Sequence, residues 1–219
     1  MELFLKHHPQ PGKRLLDLAL TLPALVLLSP ILAATALAAA AKLGRPVLFR
    51  QERPGLGGKP FVLLKFSTMT DARDAGGRLM PDSERMTRLG RILRKTSLDE
   101  LPQLWNVARG ELSLVGPRPL LMEYLDAYTE EQRRRHEVLP GITGWAQING
   151  RNVILFSERL KFDVWYVDNW SLWLDVKILM RTALNLILRR GGQVEQTLGE
   201  VDDLGLHPDT RRGYKHGNT

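Results

Sequence analysis

LALTLPALVLLSPILAATALAAAA, residues 18–41, decides how the rest of the chain is read: it is 24 residues long and carries no charge. About 20 apolar residues cross a bilayer as a helix, so the run is long enough. Three arrangements compete: a single transmembrane helix, a secretory signal peptide, and a re-entrant hairpin that enters and leaves by one face. Lys13 and Arg14 precede the run, and Ala39-Ala40-Ala41 imitates a small-residue cleavage site. A signal peptide's apolar region, however, has only about 7–15 residues. Pro23 and Pro30 bear on the other two arrangements. Proline inside a helix removes a backbone donor and clashes with the preceding turn. Ser29 can also bond back to an upstream carbonyl and deepen the bend. A split at Pro30 leaves two arms of 12 residues, about 18 Å each at 1.5 Å per residue. Neither arm crosses a hydrocarbon core about 30 Å thick. A milder kink still permits a span.

Charge separates these alternatives. Lys6, Lys13 and Arg14 lie before the run, and Lys42, Arg45, Arg50 and Arg53 lie after it. Basic residues favour the cytoplasmic side. A span places one basic flank on the wrong side, whereas a hairpin keeps both inside, so the re-entrant arrangement is the expectation. Asp17 is either a first-turn helix charge or an anchor that holds the hairpin base through Lys13 or Arg14.

Beyond the run, 219 residues with 43% hydrophobic and 25% charged side chains describe a folded chain of about one domain. The absence of cysteine excludes a disulfide scaffold, a cysteine nucleophile and a thiolate zinc site. Lys and Arg total 31 against 24 Asp and Glu, a net charge of +7. Such a balance favours an anionic partner: nucleic acid, an acidic membrane face or a phosphorylated substrate.

Val47–Arg50 and Phe61–Phe66 read as two strands of a hairpin, joined by the glycine-rich stretch from Pro54 to Pro60. Its glycines match no nucleotide-binding fingerprint, and a plain turn is the better reading. Residues 71–83 read as a mobile loop. A helix capped by Asp82 or Ser83 follows, with Arg85, Arg88, Arg91 and Arg94 every third residue. Ser97-Leu98-Asp99-Glu100 fits a capping box, which offers ordinary roles for both carboxylates. In Gly116-Pro117-Arg118-Pro119, two prolines fix the backbone around one arginine and lower the entropy cost of presenting its fork to an oxyanion. A turn-rich segment from Pro140 passes through Gln147 to Arg151. Between these two motifs, Leu120–Val138 reads as helix, with Arg133-Arg134-Arg135 exposed or facing a membrane. Leu172–Arg190 reads as a second helix. Leu172, Trp173, Val176, Leu179, Met180, Ala183, Leu184 and Ile187 form its apolar stripe, opposed by Asp175, Arg181, Thr182, Asn185 and Arg189. That stripe suits a protein core or a headgroup layer equally. Residues 191–219 read as a loose polar tail.

Taken together, these motifs resemble the monotopic bacterial phosphoglycosyl transferases, the sugar transferase family that starts glycan assembly on polyprenol phosphate. The resemblance rests on Lys13-Arg14 through Asp17, Ser29-Pro30, Arg50 through Gly55, Lys65-Phe66, Leu93 through Asn106, Gly116 through Pro119, Pro140 through Asn152, and Trp165 through Ser171. It covers nearly residues 13–190. One position departs: the family often has Arg after the Lys-Phe pair, where this chain has Ser67.

The resemblance implies an α+β fold, mainly α, with interfacial amphipathic helices. It implies a membrane hairpin over 1–45, a cytoplasmic catalytic domain over 46–190 and a tail over 191–219. It also implies transfer of a sugar-1-phosphate from a nucleotide diphosphate sugar, usually a UDP-sugar, to polyprenol phosphate at the cytoplasmic membrane, with release of UMP. Asp99 is then the nucleophile, Glu100 a metal ligand or proton relay, and Mg2+ the cofactor held by the pair. Lys65, Arg94, Arg118, Gln147 and Arg151 become substrate-binding residues. The chemistry is consistent: a carboxylate attacking a diphosphate meets repulsion that cations must offset, and covalent transfer divides one hard step into two. Asp99 near a helix start is expected to stay ionised. Nucleic acid is not an expected partner, and a homo-oligomer is left open. The rival classes are a membrane-tethered nucleic-acid-binding protein and a scaffold without chemistry.

Overall fold

The computed structural model describes residues 10–150, 154–188 and 202–207. It is mainly helical, with two small two-stranded sheets. The apolar run forms α1 (Lys13–Leu27) and α2 (Ser29–Leu43), which meet at a bend of 61°. Ser29 Oγ donates to the Val26 carbonyl at 2.7 Å, the back-bond expected of a serine at this break. Pro30 sits in the first turn of α2, where its missing N–H removes no helical bond. Pro23 lies inside α1 without ending it, so each arm has 15 residues instead of 12. No single helix among the described residues is long and apolar enough to cross a membrane, although the bent pair taken together reaches that length and composition.

Strands β1 (Leu48–Pro54) and β2 (Pro60–Phe66) form the expected antiparallel hairpin, with β1 longer than its sequence pattern suggests. The helix expected after Asp82 is broken. A short α3 (Asp82–Arg85) stops where Met86 turns extended and bridges Met69. Then α4 (Arg88–Lys95) starts afresh, capped by Thr87, whose Oγ1 accepts from Gly90 N at 3.0 Å. Neither Asp82 nor Ser83 serves as the cap. Gly90 lets α4 lie against the chain leaving β2, because a Cβ there would sit 1.8 Å from the Thr68 carbonyl oxygen. The capping box is not formed either: Ser97 adopts a left-handed φ of 56° and makes no side-chain cap bond. It opens a 3₁₀ turn, Leu98–Glu100, ahead of α5 (Gln103–Arg109).

Past α5, β3 (Ser113–Val115) pairs in parallel with β4 (Gly141–Thr143), a contact not anticipated from sequence. The chains approach so closely that a Cβ on Gly141 would meet Gly116 N at 2.0 Å. The intervening 120–138 segment is not one helix. It runs as a 3₁₀ stretch (Met122–Ala127), α6 (Glu130–Arg133) and a final turn (Arg134–His136). Nor is its arginine triplet exposed, since Arg135 is buried and paired with Asp163. α7 (Trp145–Asn149), α8 (Phe156–Asp168) and α9 (Leu172–Ile187) complete the fold. Val115, Val138, Ile148, Tyr166, Val167, Leu174 and Ile178 form the largest apolar cluster. Part of the expected loose tail is docked: Leu206 packs with Tyr124, Tyr128 and Phe156. Asp202 accepts from the backbone N–H groups of Leu206 and His207.

α9 faces the core with Leu174, Asp175 and Ile178. Of its apolar stripe, Leu179 packs inward, while Trp173 and Ile187 stay 73% and 77% exposed. The inward Asp175 has a specific partner. Lys13 Nζ lies 2.6 Å from Asp175 Oδ2, Tyr166 donates to Oδ1 at 2.6 Å, and Trp170 Nε1 donates to Oδ2 at 3.1 Å. Asp17 ties the base of α1 to β3, and its hydrogen bonds go to neither Lys13 nor Arg14. It accepts from Ser113 Oγ and Leu114 N, both at 3.0 Å. Arg14 donates to the carbonyls of Val107 and Ala108 at the end of α5.

Removing one member of a buried ion pair leaves the other uncompensated, at a cost of about 3–5 kcal/mol. Lys13→Met alone should therefore lower unfolding stability in detergent by about that much. The double change Lys13→Met, Asp175→Leu should recover a substantial part of it. Thermal melts of the three proteins check both expectations.

Candidate active site

The site is assembled from four separate pieces of chain. β2 carries Lys65, and the 3₁₀ turn after Ser97 carries Asp99 and Glu100. The proline-flanked loop after β3 carries Arg118, and α4 carries Arg94. Glu100 joins three of these pieces. Its Oε1 lies 2.9 Å from Lys65 Nζ and also pairs with Arg118 Nη2, and Arg118 Nη1 reaches its Oε2 at 3.4 Å. Burial by itself would raise the Glu100 pKa, but Arg118 and Lys65 outweigh it and hold the carboxyl at about 2. The same contact raises the Arg118 pKa. Lys65 shifts the other way: burial, reinforced by Arg118, outweighs the attraction of Glu100 and lowers its pKa.

Asp99 differs from its neighbour. It is 7% exposed, and its Oδ1 is buried without a hydrogen-bond partner among the described residues. Burial, then the charge of Glu100, raises its pKa against the opposing pull of Lys65 and Arg94. Arg94 is aimed from α4 by a 3.1 Å bond from Nε to Thr68 Oγ1. A partly dehydrated carboxylate with one unengaged oxygen, beside three cations, is suited to react with or bind an electrophile that carries negative charge.

Support for these groups is buried. Arg135 donates through Nη2 to the Arg118 carbonyl at 2.7 Å while pairing with Asp163 at 2.7 Å. Asn106, fully buried, bonds both to Leu64 N and to the Val62 carbonyl, fastening α5 to β2. A cavity of about 190 Å³ opens beside Lys65 and Arg118 and is also lined by Arg53 and Gln103.

The profile of the bacterial sugar transferase family matches residues 8–189. The chain belongs to the bacterial sugar transferase family. An uncharacterized sugar transferase, EpsL of Bacillus subtilis, is 57% identical over 84% of this chain and 91% of its own length. The UDP-glucose:undecaprenyl-phosphate glucose-1-phosphate transferase of Caulobacter vibrioides is 43% identical over 80% of this chain and 69% of its own. The Escherichia coli protein of the same name is 41% identical over 78% of this chain, which matches 39% of that longer protein.

Within this sugar transferase, four sequence-derived candidates come together around Asp99: Glu100, Lys65, Arg94 and Arg118. Gln147 lies on α7. Its amide is buried without partners among the described residues, and a Cβ on Gly144 would meet its Oε1 at 2.9 Å. Arg151 falls outside the described residues. Glu100 has both oxygens engaged by cations, which hold its pKa at about 2. Burial opposes the ionised form of Asp99, while Lys65 and Arg94 favour it. Where the family often has Arg, Ser67 instead donates to the Pro46 carbonyl at 2.6 Å. Arg53, Gln103 and the Arg135–Asp163 pair were not selected from sequence. Arg53 and Gln103 stand inside quoted motifs, but only folding shows which of those side chains face the cavity.

Glu100 carries a pH signature with a definite sign. Its folded pKa lies below the ordinary 4.5, so its contribution is complete above 4.5 and disappears as pH falls toward about 2. At about 1.4 kcal/mol per pKa unit this amounts to roughly 3 kcal/mol. Glu100→Gln should lose about that stability at pH 7 and almost none of it at pH 2. Urea unfolding of both proteins at the two pH values checks this.

Proposed function

We propose that this chain transfers a sugar-1-phosphate from a UDP-sugar to undecaprenyl phosphate, starting a membrane-linked glycan such as an exopolysaccharide. The carrying observation is Asp99: a buried carboxylate with an unengaged oxygen, set among Lys65, Arg94 and Arg118. The names of the Caulobacter and Escherichia relatives support the same donor and acceptor.

On this reading Asp99 attacks the sugar-linked phosphorus of the donor. The bond to the bridging diphosphate oxygen breaks, and UMP leaves with the electron pair. An oxygen of undecaprenyl phosphate then attacks the phosphorus held on Asp99, releasing the carboxylate and forming the undecaprenyl-diphosphate sugar. Arg118 and Lys65 offset the charge of the phosphates, and Glu100 holds the two cations together. Its anchored oxygens keep their geometry through the reaction, which limits reorganisation in the transition state. A raised Asp99 pKa makes its anion a more basic nucleophile. Arg94 and Lys65 keep enough of it ionised for attack.

Mg2+ fits Asp99 better than it fits the carboxylate pair. The unengaged Oδ1 of Asp99 can take one position on the ion, whereas both Glu100 oxygens already face cations. Among the described residues no group of three acidic, His or Cys side chains could hold a metal. Mg2+ commonly binds through one or two carboxylates plus substrate phosphates. When bound, it supplies Lewis-acid neutralisation of diphosphate charge.

We further propose that residues 1–45 form a re-entrant anchor and 46–190 a catalytic domain on the cytoplasmic leaflet. The 61° break, the Ser29 back-bond and the outward Leu15, Val26 and Leu27 support the first. The outward stripe of α9, ending in Trp173, suits the headgroup layer. The net charge of +7 suits an anionic leaflet.

Two experiments test these assignments. Intact mass measurement after mixing the protein with Mg2+ and its UDP-sugar should show one added sugar phosphate. Asp99→Asn should show none, and should lose at least about 1000-fold in turnover while melting normally. An active wild type that never gains this mass removes the covalent route. For the anchor, single cysteines introduced at positions 8 and 46 of this cysteine-free chain should both label from the cytoplasmic side alone. Labelling from opposite sides defeats the hairpin.

A further inference from the structure

The cavity beside Lys65 and Arg118 holds buried donors that no contact among the described residues satisfies. Its polar lining is Arg53, Lys65, Gln103 and Arg118, with Leu63 and Leu120 as apolar walls. Three cations line it, and none of the lining residues is acidic. Glu100 engages the inner sides of Lys65 and Arg118, Asp99 lies close to the same two cations, and Glu123 lies near Arg53.

Arg53 is not explained by structure-holding contacts. Its guanidinium donates only to the neutral Gln51 Oε1, at 2.6 Å, and makes no ion pair among the described residues. Its Nε is buried with no hydrogen-bond partner. Burial, then the charge of Arg118, lowers its pKa against the pull of Glu123. Gln103 is 3% exposed, and its Nε2 likewise has no partner among the described residues. A buried donor left unpaired is costly, and both of these line the same cavity.

We infer that Arg53 and Gln103, with the outer faces of Lys65 and Arg118, form a subsite for a phosphate monoester. The phosphate accepts from the planar Arg53 fork and from the Gln103 amide, the two donors on this cavity left without partners among the described residues. This rests on the transferase reading above, which supplies two such monoesters: the released UMP and the incoming undecaprenyl phosphate. Asp99 does not line the cavity, so the subsite holds the phosphate next to the reacting one. Arg53 is therefore a binding residue outside the attacking pair.

The test compares matched ligands that differ only by the phosphate: UMP against uridine, and undecaprenyl phosphate against undecaprenol, each titrated into the full chain in nanodiscs. Arg53→Gln should weaken UMP, undecaprenyl phosphate or both by at least tenfold, leaving uridine and undecaprenol unchanged. Loss confined to UMP assigns the subsite to the leaving nucleotide, and loss confined to the lipid assigns it to the acceptor. Gln103→Leu should give a smaller loss in the same pattern. Arg53→Lys, which keeps the charge and loses the fork, should fall between wild type and Arg53→Gln and serves if the glutamine variant does not fold. Unchanged phosphate ligands, or equal losses with and without phosphate, overturn the subsite while leaving the transferase reading intact. A wild type that binds neither UMP nor undecaprenyl phosphate removes the donor and acceptor assignment and the subsite together.

Discussion

Glu100 is the constraint on which the site depends. Lys65 arrives on a strand, Arg118 on a loop more than fifty residues later, and the two cations repel one another at close range. A single buried carboxylate between them changes the sign of that interaction. Held at a pKa of about 2, it is charged at neutral pH. Asp99, one residue away on the same tight turn, feels the opposite environment, because it has the burial without two direct cationic contacts. Adjacent carboxylates are thus divided into one that both cations engage and one with an unengaged oxygen. The division follows from which side of the turn each faces, and the left-handed Ser97 sets that turn. A non-glycine residue at positive φ is held against its preference by the surrounding structure.

The arginines are presented by backbone geometry more than by side-chain freedom. Arg118 lies between prolines, and its carbonyl is held by Arg135, itself fully buried against Asp163. A buried ion pair is weak evidence for stability, but this one fixes the loop that aims a functional group. Gly116 and Gly141 allow β3 and β4 to approach within a distance that any side chain would prevent. Gly90 does the same for α4, and so places Arg94 over Thr68. These glycines act through steric absence, which explains why motifs rich in Gly and Pro surround the charged residues here.

What could be read from sequence was what is decided locally. Ser29-Pro30 breaks the apolar run because both effects act within one turn. The β1–β2 hairpin follows from its turn and its short apolar strands. Asp99, Glu100, Lys65, Arg94 and Arg118 were accessible because their joint pattern resembles a family. What escaped was set by distant partners. The helix from 82 to 95 breaks because Met86 pairs with Met69 across a loop. Arg135 is buried because Asp163, on α8, meets it. The wheel of α9 correctly separated two faces but could not say which one turns inward, since the buried acid on its polar face is matched by Lys13, 162 residues away. Arg53 and Gln103 looked like ordinary motif residues until the fold placed both on one cavity.

That long-range pair has a mechanical consequence. Lys13 sits at the first turn of the apolar hairpin, and Asp175 on the inner face of the helix whose outer face is apolar. Arg14 binds the end of α5 and Asp17 binds β3, so three contacts in the first turns of α1 fasten its base to the domain. α5 is joined through Asn106 to β2, which carries Lys65. The two outward apolar surfaces, on α1–α2 and on α9, are therefore held in a fixed relation to each other and to the cations around Asp99. A flexible linker would leave these surfaces free to take any orientation to the site. With the base of α1 locked by Lys13, Arg14 and Asp17, the apolar helices and the carboxylate cannot move independently.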